Sequence, residues 1–229
     1  MESRSLQFNE ITWSIFQLGE NAWLLEPDNK KAKLEVIHNA TRMIEGSGVK
    51  EIVDIIPAYD SITLITKKNN TDIISLLSEV SGSIINESKA KSGLHKIKTC
   101  YELGLDWDEV ETNTGIQKEE ITAIHCSKIY TIAMTGFLPG FIFLDGLDDQ
   151  ICTPRKKTPR TSVPAGSIGI GGNQTGIYSL ESPGGWQIIG RTTETFFDIN
   201  ENPPMQLQAG DKVEFVRISK EEFKKIEAE

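Results

Sequence analysis

A chain of 229 residues with 38% hydrophobic and 25% charged side chains has the composition of a folded globular protein, and is long enough for one large or two small domains with cores of their own. Its formal net charge of −9 argues against a surface built to neutralise nucleic acid phosphates. No apolar run approaches the ~20 residues that span a bilayer, and MESRSLQFNE lacks the basic-then-apolar order of a secretory signal, so a cytoplasmic protein is expected, with no nucleic acid and no membrane among its partners.

In chain order, Thr12 to Phe16 and Ala22 to Glu26 read as two strands of a hairpin around Gly19. From Asn29 to Glu45, Leu34, Ile37, Thr41 and Ile44 recur at helical spacing, with His38 beside the stripe and Gly46 and Gly48 as a stop. Strands are expected over Glu51 to Ile56 and Ser61 to Thr66. A second helix should start near Thr71, which can cap it, and carry Ile73, Ile74, Leu77 and Val80. The polar stretch NESKAKSG, Asn86 to Gly93, has no periodicity and reads as a linker between a small α+β domain over 1–85 and a second domain over 94–229. The second domain should open with a strand near His95 to Tyr101, followed by helices over Asp106 to Glu111 and Gln117 to Cys126. After a strand over Lys128 to Met134 come short apolar runs broken by glycine and proline, the pattern of a barrel or sandwich rather than of parallel βαβ units. The charged end KEEFKKIEAE reads as a short helix or a frayed end.

Cys100, Cys126 and Cys152 form no C-x-x-C pair, and His38, His95 and His125 have no i, i+4 partner, so reduced thiols and no metal site are expected. No G-x-S-x-G elbow, P-loop or dinucleotide motif is present. The chain shows no self-sufficient hydrolytic triad.

Gly136 to Thr192 is a different kind of segment. It joins GFLPGFIFLDGL, PRKKTPRTSVPAGSIGIGG and NQTGIYSLESPGGWQIIGRT, and concentrates glycine, proline and positive charge. The phrases GF-x-PGF, PR-x(4)-R, VPAGS, Q-T-G-I-Y, SPGGW and IGRT, in this order, resemble the family of the B-type subunit of bacterial 5-oxoprolinase. That family includes Kip-type inhibitors of sporulation kinases and is related to the first subunit of allophanate hydrolase and to the carboxyltransferase region of urea carboxylase. The resemblance implies a cyclophilin-like β-barrel for the second domain. It also implies ATP-coupled conversion of 5-oxo-L-proline to L-glutamate together with companion 5-oxoprolinase subunits of the A and C types. Inhibition of a histidine kinase and urea-type carboxyl transfer are the alternatives it leaves. The sequence contains no biotin-attachment module, so neither biotin nor a metal is expected in this chain, while ATP would belong to the assembled complex.

Within this segment Arg155, Lys156, Lys157 and Arg160 lie on a loop stiffened by Pro154 and Pro159. Composition alone favours a solvated face over an anion site, but the resemblance singles out Arg155 and Arg160 and leaves Lys156 and Lys157 unpromoted. The glycines of AGSIGIGGNQTG suit either an anion cradle or close strand crossings. Gln174 and Tyr178 can orient a small amide without adding charge. Arg191 and Thr192 should emerge at the end of a strand running from Trp186 to Ile189, and Trp186 reads as a core anchor after a tight turn over Ser182 to Gly185. His125 matches a family histidine ahead of Tyr130 to Phe137, which leaves two roles open, general base or a satisfied histidine supporting the barrel. The expected site is therefore His125, Arg155 and Arg160 for catalysis and Gln174, Tyr178, Arg191 and Thr192 for substrate.

Overall fold

The computed structural model describes residues 3–8, 10–28, 34–82 and 92–228, which fall into two compact units, Met1–Lys91 and Ser92–Glu229. Residues 29–33 of the expected first helix and 86–91 of the expected linker lie outside the described residues.

The first unit is an α+β layer. Strands β1 (Ser3–Phe8), β2 (Ile11–Gln17) and β3 (Ala22–Pro27) precede helix α1 (Leu34–Gly46), and β4 (Ile52–Pro57) and β5 (Ile62–Thr66) precede α2 (Ile73–Gly82). The strands pair antiparallel in the order β1-β2-β3-β5-β4. Trp13 and Ile15 of β2 alternate inward, as do Trp23 and Leu25 of β3, and Ile62 and Leu64 of β5, and they pack with Ile37, Ile44, Ile73 and Leu77 of the helices. Burying such side chains stabilises by about 1.5–3 kcal/mol each, which is what selects this register. Strand β1 was not expected, because SRSLQF has almost no apolar alternation. It exists by pairing along the whole length of β2, from Ser3 opposite Phe16 to Phe8 opposite Ile11. Asp72 rather than Thr71 serves the start of α2. Its carboxylate accepts from the Ser75 N–H and hydroxyl, whereas the Thr71 hydroxyl donates to the Lys68 carbonyl.

The second unit runs β6 (Leu94–Thr99), α3 (Trp107–Thr114), α4 (Lys118–Cys126), β7 (Ile129–Thr135), β8 (Ile142–Asp145), β9 (Arg160–Val163), β10 (Ser167–Gly171), β11 (Gln174–Ile177), β12 (Ser182–Gly184), β13 (Gln187–Arg191), β14 (Lys212–Arg217) and α5 (Lys220–Glu227). Seven strands form one sheet in the order β13-β10-β11-β8-β7-β14-β6, and β9 pairs with β12 in a separate ribbon. The large sheet curls until its edges meet: Cys100, just past β6, and Arg191, at the end of β13, exchange backbone hydrogen bonds of 2.8 and 3.1 Å. Tyr130, Ile132, Ile142, Leu144, Ile168, Ile170, Val213 and Phe215 fill the enclosed core. The pattern of short runs thus gives a mainly β unit, although β6 and β14 pair in parallel. Two expectations are corrected. Ser182 to Gly184 is a strand paired with β9 rather than a tight turn, and Arg191 lies within β13 rather than beyond it. The Ser219 hydroxyl accepts from the Glu222 N–H and starts α5, so the charged end is a helix.

Candidate functional site

The loop from Pro154 to Pro159 lies between α3 and the start of β13, and its cations are not equivalent. Asp106 stands at the N-cap position of α3 but makes no capping bond with its side chain. Its carboxylate, 2% exposed, instead accepts from Nη1 and Nη2 of Arg160, from the Lys156 Nζ at 3.0 Å and from the Ile188 N–H at 2.7 Å. Burial alone would push the Asp106 carboxyl up. The Arg160, Ile188 and Lys156 hydrogen bonds outweigh it and hold the group below the usual carboxylate range. Lys156 also bonds both Glu109 carboxylate oxygens at 2.8 Å. Two acids thereby neutralise two bases.

Arg155 is the contrast. Its guanidinium stands 5.5 Å from the centre of the Trp186 ring, and among the described residues it makes no ion pair. Trp186, Tyr178, Phe137, Phe141 and Phe143 wall a cleft of about 390 Å³, and Arg155 and Lys156 also line it. Phe141 is the hub of the wall, edge-on to Tyr178 at 4.9 Å and to Trp186 at 5.6 Å. Phe137 holds φ +69, a conformation that a bulky residue adopts only when its surroundings impose it. The GFLPGF loop thus presents a strained, 66% exposed aromatic ring at the mouth.

The glycine-rich run serves this cleft through close packing. A Cβ on Gly171 would lie 2.7 Å from the Trp186 indole, and one on Gly176 would lie 2.6 Å from the Ile142 carbonyl oxygen and 3.0 Å from the Trp186 ring. Of the two uses considered for these glycines, close approach is the one the structure displays at these positions. Trp186 is both anchor and wall.

Of the residues expected in the site, Arg155 and Tyr178 line the cleft, and Arg160 is adjacent through its pairing with Gly184. Burial pushes the Tyr178 hydroxyl up, against the Trp186 N–H and the Arg155 and Arg160 charges, so it remains a neutral phenol. Gln174, Arg191 and Thr192 do not line it. Gln174 opens β11 opposite Gly171. Arg191 donates from Nε to the Ala165 carbonyl at 2.9 Å and lies over Phe223. The Thr192 N–H bonds the Gly166 carbonyl, and its hydroxyl accepts from the Glu194 N–H.

His125 is fully buried inside the curled sheet. The Thr175 hydroxyl donates to the Gly169 carbonyl, so it accepts from His125 Nε2 at 3.0 Å. Nδ1 is then the acceptor for the Tyr101 hydroxyl at 2.7 Å, which in turn accepts from the Cys126 thiol. Burial lowers the His125 pKa to about 3, so the ring is neutral. The ring therefore packs against Tyr130 and Phe215 within the curled sheet and does not line the cleft.

Asp106 was not expected in the site, and Phe137 and Phe141, although part of the GF-x-PGF phrase, were given no role there. The signal at Asp106 is a helix-start acid in an otherwise ordinary LDWDEV, and nothing local shows that its side chain turns away from its own helix.

Residues 13–207 match the family model for the carboxyltransferase domain, subdomains C and D. The B-type subunit of 5-oxoprolinase from Bacillus subtilis is 36% identical, with 93% of this chain and 96% of that protein aligned. The chain belongs to the family of 5-oxoprolinase B-type subunits. Another member, from Escherichia coli O157:H7, is 34% identical over 88% of this chain and 94% of its own. A conserved uncharacterized protein from Pyrococcus horikoshii, solved by crystallography, is 36% identical with a TM-score of 0.55, covering 91% of this chain and 99% of that one. The urea amidolyase of K. lactis, at 20% identity and a TM-score of 0.76 over 100% of this chain and 16% of its own, shares the fold. Among the described residues no cluster of metal-binding side chains occurs, and no helix is long and apolar enough to cross a membrane.

Proposed function

We propose that the chain is the B-type component of an ATP-dependent, cytoplasmic 5-oxoprolinase, that its second unit is a cyclophilin-like barrel, and that the aromatic cleft receives 5-oxo-L-proline. The observation that carries the assignment to this cleft is Arg155. It is a cation without an acidic partner among the described residues, lining a pocket rich in aromatic rings whose other cation, Lys156, is ion-paired. A five-membered lactam fits between aromatic faces, and its carboxylate matches a guanidinium through two parallel bonds. Arg160 and Lys156, already neutralised by Asp106 and Glu109, fix the loop that carries Arg155.

Opening the lactam requires overcoming amide resonance. Transfer of the ATP γ-phosphoryl group to the lactam oxygen makes the ring carbon electrophilic. Water addition and C–N cleavage then give γ-glutamyl phosphate, which a second water hydrolyses to L-glutamate and phosphate. The residues lining the cleft bind and orient, and among those described there is no carboxylate or histidine to act as a base. His125 is enclosed and neutral, and Tyr178 is a phenol held in its protonated form. We therefore assign the base and the ATP site to the companion subunits of the A and C types, and expect this chain to be inert alone.

The test is reconstitution. The purified chain is assayed for glutamate formation from 5-oxoproline and ATP, alone and with the companion subunits. Turnover only in the mixture supports the reading, and robust turnover by the single chain contradicts it. Inhibition of a histidine kinase by the single chain, with no gain of 5-oxoprolinase activity in the mixture, would replace the enzyme reading with the regulatory one.

A further inference from the structure

We propose that Asp106 is the positioning residue of this cleft, holding Arg155 over Trp186 from behind and thereby setting the affinity for an anionic substrate. The inference rests on the reading of the cleft as the 5-oxoproline site.

The geometry carries it. An aspartate at a helix N-cap ordinarily accepts from the backbone of its own first turn, and Asp106 does not. Its two oxygens reach three other segments: Lys156 in the loop, Arg160 at the head of β9 and the Ile188 N–H in β13. Lys156 is the residue next to Arg155, and Ile188 lies two residues beyond Trp186. One buried carboxylate thus fixes both halves of the Arg155–Trp186 contact. Two further bonds brace the same loop against the same chain segment: the Lys156 N–H to the Gly185 carbonyl, and the Gln187 amide nitrogen to the Pro154 carbonyl at 3.1 Å.

Charge gives the second strand of the argument. Asp106 and Glu109 offset Lys156 and Arg160, so Arg155 is the cation of the cleft lining left to meet a ligand. A single uncompensated charge beside aromatic walls suits a small ring bearing one carboxylate. Neutralising Asp106 would release positive charge into the loop and loosen the placement of Arg155. The guanidinium would keep its charge and lose its address.

The experiment uses the enzyme assembled with its companion subunits, with steady-state kinetics in 5-oxoproline at saturating ATP. Asp106→Asn keeps size and shape, and it should raise KM about tenfold, the scale of one charge-assisted hydrogen bond, with kcat little changed. Arg155→Ala should raise KM similarly. The double variant should be no worse than Arg155→Ala alone, because both act through one guanidinium. Should Asp106→Asn not fold, Lys156→Met leaves the Asp106–Arg160 pair in place and should raise KM about threefold, again without adding to Arg155→Ala. An unchanged KM in Asp106→Asn, or effects that multiply in either double variant, would overturn the positioning role. If Arg155→Ala raises KM while Asp106→Asn does not, the cleft reading stands and this inference falls. If Arg155→Ala leaves KM unchanged, the cleft reading itself fails, and the inference with it.

Discussion

Arg160 and Asp106 are 54 residues apart in sequence and meet through two hydrogen bonds, whereas Arg155 on the same loop meets a ring. Of two arginines that a motif presents as equals, Arg160 is ion-paired and Arg155, among the described residues, is not, and the difference is measurable.

Replacing Arg160 with alanine strips Asp106 of two of its bonds and leaves a buried carboxylate with Lys156 and one N–H. The expected loss of stability is about 2–3 kcal/mol, reduced from the fully buried case because the arginine is partly exposed. Lys157→Ala should change stability by less than ~0.5 kcal/mol. Urea unfolding of the two variants checks this. Lys156, held by Asp106 and Glu109, is expected to behave like Arg160 rather than like Lys157.

His125 should leave a pH signature on stability. Its pKa falls from 6.5 to about 3 on folding, through burial. The unfolded chain takes up a proton below 6.5 that the folded chain refuses, so this contribution is fully present above pH 6.5 and declines as the pH falls toward 3. The slope is about 1 kcal/mol per pH unit in that window. His125→Gln should flatten it. Denaturant melts between pH 4.5 and 7.5 that show the same slope in both proteins would contradict the buried, neutral ring.

Gly171→Ala should destabilise the second unit by about 1–3 kcal/mol, the usual scale of overpacking, because the added carbon meets the Trp186 indole at 2.7 Å. The near-ultraviolet circular dichroism of the tryptophan should change with it. A variant as stable as the parent would mean that the wall of the cleft yields easily.

The three cysteines are free thiols. Under native conditions an alkylating reagent should spare Cys100, which is fully buried, and modify Cys126 and Cys152 slowly, since burial pushes both thiols up from their ordinary range. Mass spectrometry of the labelled peptides reports this, and reductant should leave the melting temperature unmoved.

What the sequence displayed was periodicity and composition. The hairpin of β2 and β3, helices α1 to α4 and the short-strand character of the second unit follow from apolar spacing and from glycine and proline. Strand β1 was invisible because Leu6 and Phe8 are its only apolar residues, and it owes its existence to a partner strand. The basic loop stood out by charge, yet charge could not say which cation was spoken for. That depends on Asp106, which reaches Arg160 only after the chain has curled. His125 and Thr192 matched a family pattern, and the structure buries both outside the cleft lining, a placement set by the fold rather than by residue type. Phe137 and Phe141 stood in the GF-x-PGF phrase without an assigned role, and their place in the cleft wall arises from the fold of the GFLPGF loop.

The central claim is that Arg155 binds the substrate while its neighbours hold the loop. It is tested most directly by the 5-oxoproline KM of the assembled enzyme carrying Arg155→Ala, together with the melting temperature of that variant chain. The account predicts a KM raised about tenfold or more, a nearly unchanged melting temperature, and only partial recovery in Arg155→Lys, which keeps the charge and loses the planar fork. An unchanged KM, or a variant that loses activity because it unfolds, would contradict it.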